Sequence, residues 1–542
     1  MPTVFVSTNG NDANSYVQAQ SPATPWAHPL KANASATAAD TVSIADGTYA
    51  AESYTGAPTF YSFTKLLSYF GTLNTFLEST SSLYTTRISS SLPAGALSFS
   101  SVNVDAKNIA AKCIEIGDPV NLWTITQTSC TFANAASSNY NVLLPKQGAY
   151  RTINCTFSGS PSTAAITAGT ILSATASLTI EHINPNFNLR RNGDIIGLTQ
   201  LCTSVVNAVS YIVSGATGNI ETTSTSASAQ GITLRCPGAK IRNGNNLTVR
   251  APDANSNSAY CARIYPDQVN ITDGEITGNK FSFLAPGGYA ISWGDTSTVS
   301  TGTLTGGVVD GNNIVGAYYS SKTPHGILIG RATTISSCSG NLMASLYACY
   351  LASRTTSGSG YGNTSKDSYG VDYYAKGATA FTWAGNTAVQ TGKYARRNLA
   401  PFSIDSQGGV LNVAGSMLYN TYICAEVDFS RVGAMANITI NNSGTYTGNT
   451  YIIPDTWDTD TTNRFFVGGV EGGRSGATGY TIDEWITGTA GSVSATNGTG
   501  TIAISGERVI RLPISEILNM TGSGSSSGFK PFPEVTQLPL QI

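Results

Sequence analysis

Charge is scarce in this chain. Asp, Glu, Lys and Arg together make up 11% of 542 residues, against about 25% in ordinary globular proteins. Exposed helix faces need Glu, Lys and Arg, so the shortage excludes a coiled coil or an ordinary helical enzyme. No basic excess exists either: 29 Lys and Arg stand against 31 Asp and Glu. Nothing in that balance would neutralise a run of phosphates, and nucleic acid is excluded as a partner. No apolar run reaches the ~18 residues that suggest a membrane-spanning helix, so no membrane insertion is expected. Histidine is down to three copies and no Cys-x-x-Cys or Cys/His spacing occurs, so neither a metal nor a cofactor is expected. The nine cysteines are an odd number without a disulfide pattern, and read as small buried hydrophobes of a chain made in a reducing cytoplasm. The first residues, Met1-Pro2-Thr3 followed by Val4-Phe5-Val6-Ser7, carry no secretory signal. P-loop, dinucleotide-binding, HExxH, GxSxG and EF-hand motifs are all missing.

What is present is β-forming and repetitive. Hydrophobic residues reach 41%, with 56 Gly, 26 Tyr and 18 Phe, too apolar for a disordered chain. Ser129-Cys130-Thr131-Phe132 returns as Asn154-Cys155-Thr156-Phe157, 25 residues later, and Ile180 follows 23 beyond Phe157. Phe381, Ile404 and Val427 are 23 apart, each between polar or small neighbours. Gly-Asn steps recur at Gly278-Asn279, Gly311-Asn312, Gly340-Asn341, Gly362-Asn363 and Gly385-Asn386. A period near 23 with short strands and no helix is that of a parallel β-helix, whose coils stack ~4.8 Å apart. Inward side chains then form columns, Asn amides ladder at the turns and Gly supplies the positive-φ corner. The fold class expected is all-β: a right-handed parallel β-helix (solenoid) with a small β-rich C-terminal region and an extended C-terminal tail.

The opening stretches Val4-Phe5-Val6-Ser7-Thr8-Asn9-Gly10-Asn11-Asp12 and Asp40-Thr41-Val42-Ser43-Ile44-Ala45-Asp46-Gly47-Thr48-Tyr49 carry a family likeness. They resemble the first coils of the pectate-lyase-like right-handed parallel β-helix superfamily, which includes polysaccharide-acting enzymes and bacteriophage tailspike and fibre proteins. That resemblance implies a fold and does not select an activity. Four regions are expected: 1–100 as the N-terminal cap that opens the coil, 101–440 as the β-helix, 441–521 as a β-rich oligomerisation or attachment region, and 522–542 as a flexible linker and extended arm. Phe60, Phe63, Leu66, Leu67 and Phe70 have partly helical spacing, so a short helix is expected between 51 and 100. Short antiparallel strands are expected between 460 and 510.

If Ile404 and Val427 point inward, strand alternation sends Asp405, Glu426 and Asp428 outward onto one face. Carboxyls crowded there would raise one another's pKa, as a general acid in glycosidic hydrolysis needs; solvated surface acids are the alternative. Tyr369, Tyr373, Tyr374 and Trp383 lie in an aromatic-rich stretch that also holds Tyr361 and Tyr419, and are candidates for stacking on sugar rings or for a subunit interface. Arg396-Arg397 would neutralise surface acids or an anionic sugar. Asp367 and Asp372 form a weaker acidic pair, and His325 with Asp310 distantly resembles polygalacturonase elements. Together with the resemblance, these residues imply a bacteriophage tailspike or fibre protein. It would be homotrimeric, assembled in the host cytoplasm into the virion beside other tail or capsid proteins, and would bind or cleave host surface polysaccharide. The alternatives are a stand-alone polysaccharide lyase or glycoside hydrolase, and a non-enzymatic structural β-helix of a capsid or baseplate.

Overall fold

The computed structural model describes residues 2–54, 56, 58–89, 92–110, 112–116, 123–135, 141–144, 148–161, 164–171, 177–202, 209–253, 259–266, 269–294, 302–330, 333–353, 357–377, 380–394, 400–405, 413–427, 434–439, 442–457, 464–469, 476–487 and 502–521. The chain divides into two compact units, residues 1–336 and 337–542. The expected linker and arm at 522–542 lie outside the described residues.

The first unit is a parallel β-helix with three long sheets and a short parallel pair, Ile271–Thr272 with Leu304–Thr305, among its described residues. Leu178–Ile183 belongs to the first sheet, Asn186–Arg191 to the second and Ile195–Cys202 to the third. Val209–Ser214, Thr217–Thr222 and Ala229–Arg235 then repeat the order one coil on. Each strand pairs in parallel with its counterpart, as in Ile180 opposite Tyr211 and Leu189 opposite Ile220. Alternation turns every second residue inward: Val209, Tyr211 and Val213 are buried. Like side chains stack, with Phe132, Phe157 and Phe187 in one column at ring separations of 5.3 and 5.7 Å. The Cys-Thr-Phe repeat therefore marks true neighbours, Thr131 opposite Thr156 and Phe132 opposite Phe157. Ile180 is not the next member; it sits in the first sheet opposite Tyr150, and Phe187 continues the phenylalanine column.

Between 51 and 100 the only helix among the described residues is the single turn Ala51–Ser53; where Phe60 to Phe70 suggested one, the chain forms strands Tyr61–Phe63 and Ser68–Phe70, followed by Thr75–Glu78, Tyr84–Ile88 and Gly95–Ser100. Three-residue strands separated by turns imitate helical spacing here, while Phe63, Tyr69 and Phe99 meet inside at about 5 Å. The core of this unit also holds a polar column. His182 is fully buried, its Nδ1 2.7 Å from Thr152 Oγ1 and its Nε2 3.1 Å from Tyr211 Oη. Burial lowers its pKa to about 3, so the imidazole is neutral.

Turns are bound by asparagine ladders. Asn245 donates Nδ2 to Asn279 Oδ1 at 2.7 Å, and Asn279 donates to Asn312 Oδ1 at 2.9 Å. Gly278 precedes this rung with φ +65°, and a Cβ there would meet no atom within 4 Å. Glycine is needed for its backbone conformation and not for space.

The second unit repeats the plan. One sheet runs through Leu342–Ala344, Thr364–Lys366, Thr387–Gln390, Thr421–Cys424, Thr450–Pro454 and Arg508–Leu512, and another through Ala348–Ser353, Val371–Lys376, Phe402–Asp405, Ala436–Thr439 and Phe465–Gly469. The third includes Gly358–Tyr361, Phe381–Ala384, Val413–Leu418, Asn442–Thr447 and Ile502–Ser505. Asn341, Asn363, Asn386, Asn420 and Asn449 form one ladder, each Nδ2 reaching the next Oδ1 at 2.9–3.0 Å. Its steps span 22, 23, 34 and 29 residues. That variation defeats a fixed offset of 23. Phe381 pairs with Gly358 and Gly415, Ile404 with Ala375 and Ile438 in a different sheet, and Val427 is 67% exposed. The three do not stack. Of the antiparallel strands expected late in the chain, Phe465–Gly469 with Thr478–Tyr480 forms one pair. Helix Ile482–Ile486 follows, and Ile502–Ser505 and Arg508–Leu512 are parallel rungs.

Candidate functional site

Asp405 and Glu426, expected together on an outer face, are both buried and belong to different sheets. Asp405 is completely buried and accepts a 2.5 Å hydrogen bond from the Tyr374 hydroxyl. Its whole strand, Phe402–Asp405, is buried on both faces, so alternation does not turn Ser403 and Asp405 to solvent. Glu426 is buried beyond the end of Thr421–Cys424, in another sheet, with its carbonyl accepting Trp457 Nε1 at 3.1 Å. Asp428, Arg396 and Arg397 lie outside the described residues.

The aromatic candidates are interior residues. Tyr369, Tyr373 and Trp383 are fully buried and Tyr374 is 5% exposed. Tyr373 stacks on Tyr350 at 4.9 Å, and its hydroxyl reaches the carbonyls of Asn363 and Thr387, both at 2.8 Å. Tyr369 packs edge-on against Tyr347 and Tyr394. These rings hold successive coils together and leave no face for a sugar; from the same stretch Tyr361 and Tyr419 are exposed, at 50% and 66%. Asp367 takes the backbone N–H and hydroxyl of Thr391 at 2.8 and 2.7 Å, and Asp372 is bound by Ser365. His325 and Asp310 fall in different sheets, opposite Tyr289 and Thr277.

A different site lies on the first unit, where the second sheet turns its polar side outward. Residues Asn188, Asn219, Thr248 and Ser282 stack along one outward column, and Arg190, Glu221 and Arg250 along the next. Inward between them run Leu189, Ile220, Val249 and Phe283. Past the strand ends the chain forms a cleft of about 430 Å³ lined by Glu221, Thr223, Arg250, Asp253 and Tyr319 among others. Thr222 and Thr223 fix one wall through hydroxyl bonds to the carbonyls of Gly193 and Arg191, at 2.8 and 3.3 Å. Arg190 Nε stands 3.7 Å from Glu221 Oε2, with both side chains partly in solvent.

Burial raises the Tyr319 phenol above its ordinary pKa, the negative charge of Asp253 raises it further and Arg250 opposes the shift. Tyr319 is therefore an uncharged donor with an apolar ring. A ring to stack on, two carboxylates to accept hydroxyl hydrogens and a guanidinium to bind hydroxyl or carboxylate oxygens suit a saccharide. Among the described residues no three His, Cys, Asp or Glu side chains gather as a metal site. Sequence reasoning missed this cleft because Glu221, Asp253 and Tyr319 come from three different coils of unequal length, with the coil of Lys280–Leu284 between the last two; the recurrent polar-apolar alternation of Thr217–Thr222 and Asn246–Arg250 was the available signal.

No family model matches the chain, and no curated protein matches it. Among solved structures it is similar to the GH136 lacto-N-biosidase from Eubacterium ramulus, with 9% identity over 94% of this chain and 68% of that one, at a TM-score of 0.19. So slight a likeness bears on neither fold nor function.

Proposed function

We propose that this chain is a polysaccharide-binding β-helix that holds a glycan across the outer face of its second sheet, with the cleft at Tyr319 as the principal contact. The observation that carries this reading is the meeting of Tyr319, Asp253, Arg250 and Glu221 around one open cleft beside a polar stripe. A stripe repeating at the coil spacing of ~4.8 Å suits a polymer, whose sugar units repeat as well. The finer reading, a homotrimeric tailspike or fibre that attaches a virion to host surface polysaccharide, rests on the resemblance of the first coils.

Two carboxylates at one cleft, Glu221 and Asp253, favour hydrolysis as a second reading, since a glycosidic bond is cleaved between an acid and a base or nucleophile. Immobilised bacterial capsule and lipopolysaccharide preparations, probed with the intact chain and with Tyr319→Ala, test binding. Reducing-sugar release by the intact chain, compared with Glu221→Gln and Asp253→Asn, tests cleavage. Retention on glycan that is indifferent to Tyr319→Ala and Asp253→Asn would remove the cleft from the proposal. Light scattering of the purified protein tests the trimer.

A further inference from the structure

We propose that Asp12, His28 and Ser53 form a nucleophilic triad that hydrolyses carboxylic esters, at a site near the N-terminal cap that owes nothing to the cleft. His28 Nδ1 lies 2.6 Å from Asp12 Oδ2, and His28 Nε2 lies 2.7 Å from Ser53 Oγ. The three residues come from separate segments: the turn after Thr3–Val6, the residue before helix Pro29–Ser35 and the last residue of the short helix Ala51–Ser53. A nucleophile in reach of a base that a third group orients is the arrangement that makes a serine hydroxyl reactive.

The hydrogen-bond pattern sets the roles. Asp12 Oδ1 accepts the backbone N–H groups of Ala27 and His28 at 2.8 and 3.1 Å, while Oδ2 faces the imidazole. A carboxylate oxygen accepts only, so in the neutral tautomer that bonds Asp12 the proton is on Nδ1 and the lone pair on Nε2 is aimed at Ser53 Oγ. Ser53 Oγ also lies 2.7 Å from the Ala50 carbonyl, so its single hydrogen has two acceptors. Rotation about the Cβ–Oγ bond moves that hydrogen from the carbonyl to Nε2 and selects the reactive form. Tyr54 shelters the imidazole edge-on at 5.8 Å, and the His28 and Asp12 side chains are 17% and 20% exposed. Ser53 itself is exposed. It can therefore meet an ester displayed on a larger molecule, such as an O-acyl group.

The reaction balances with water as the co-reactant. Ser53 Oγ bonds to the carbonyl carbon as its proton passes to Nε2. Collapse breaks the bond to the alkoxy oxygen, which leaves as the alcohol with that proton. Water then attacks the acylated Ser53, gives a proton to Nε2, and the carboxylic acid departs as Oγ recovers the proton. Asp12 remains a carboxylate throughout.

The test uses the intact chain with a fluorophosphonate probe, peptide mass spectrometry and p-nitrophenyl acetate hydrolysis. The expected result is a phosphonyl adduct on Ser53, absent in Ser53→Ala, with ester hydrolysis falling at least ~100-fold in that variant. His28→Gln should slow labelling by a similar factor. No adduct on Ser53 overturns the proposal, as does labelling equally fast in a folded His28→Gln chain. Either result would reduce the three residues to a pin between the cap and the short helix, and would leave the glycan-binding reading untouched.

Discussion

Glu507 closes the asparagine ladder of the second unit: Asn449 donates its side-chain Nδ2 and its backbone N–H to Glu507 Oε1, at 2.8 and 3.0 Å. Gly506-Glu507 stands where Gly448-Asn449 stands one coil earlier. The substitution has a reason. An asparagine would present an amide N–H₂, whereas Glu507 Oε2 accepts from Tyr451 Oη at 2.8 Å and from Trp485 Nε1 at 3.2 Å.

Glu507→Gln should therefore destabilise the protein by roughly 1–3 kcal/mol, because the new amide hydrogens face two donors in a buried site. Burial raises the pKa of Glu507, with its four hydrogen bonds opposing the shift. A carboxyl raised on folding contributes stability that is complete below the ordinary carboxylate value and is lost as pH climbs through the raised one. Denaturant unfolding between pH 4 and 8 should show this slope in the natural chain and lack it in Glu507→Gln.

Asn386 and Gly385 separate hydrogen bonding from backbone conformation. Asn386 accepts from the backbone N–H and Nδ2 of Asn363 and donates to Gly360 O and Asn420 Oδ1, all within 3.1 Å. Asn386→Ala leaves these buried partners unsatisfied and should cost at least ~3 kcal/mol. Gly385→Ala meets no atom within 4 Å and is strained by φ +60° alone, which costs about 1–2 kcal/mol. Thermal unfolding of the two variants should rank them in that order.

His182 should make the first unit acid-sensitive. Its pKa falls from 6.5 to about 3 on burial, so the folded state resists the proton that the unfolded chain accepts. Its contribution is complete above the unfolded value and declines as pH falls through the window between them. At pH 5 the loss is about 2 kcal/mol. Unfolding followed from pH 7 to 5 should show this decline, and His182→Gln should flatten it.

At the cleft, Tyr319→Ala should weaken binding of a recognised glycan about tenfold, equivalent to ~1.4 kcal/mol. Asp253→Asn should change affinity less for a neutral polymer and raise it for an anionic one, since it removes a like charge. Titration calorimetry on both variants, with unfolding temperature as a control, decides.

Local repetition made the fold legible, and unequal coil lengths hid the site. Cys130-Thr131-Phe132 and Cys155-Thr156-Phe157 share their spacing because adjacent coils there carry no insertion, and the Gly-Asn steps mark true corners because ladder and positive φ are both local demands. Phe381, Ile404 and Val427 satisfied the same arithmetic by crossing between sheets, and with that register went the outward placement of Asp405 and Glu426. Asp405 could not be placed by alternation, since its sheet is covered on both sides. Asp12, His28 and Ser53 share no periodicity at all; they meet through the way the first coil closes.

Between Asn449 and Glu507 the chain travels 58 residues, where Asn363 to Asn386 takes 23. Loop-closure entropy for the longer path is roughly 0.8 kcal/mol more costly. Trp485 is carried within that excursion and delivers its indole to the same carboxylate. Helix Ile482–Ile486 and the rung Arg508–Leu512 are thus tied through one carboxylate, and hydrogen exchange should show the two opening together.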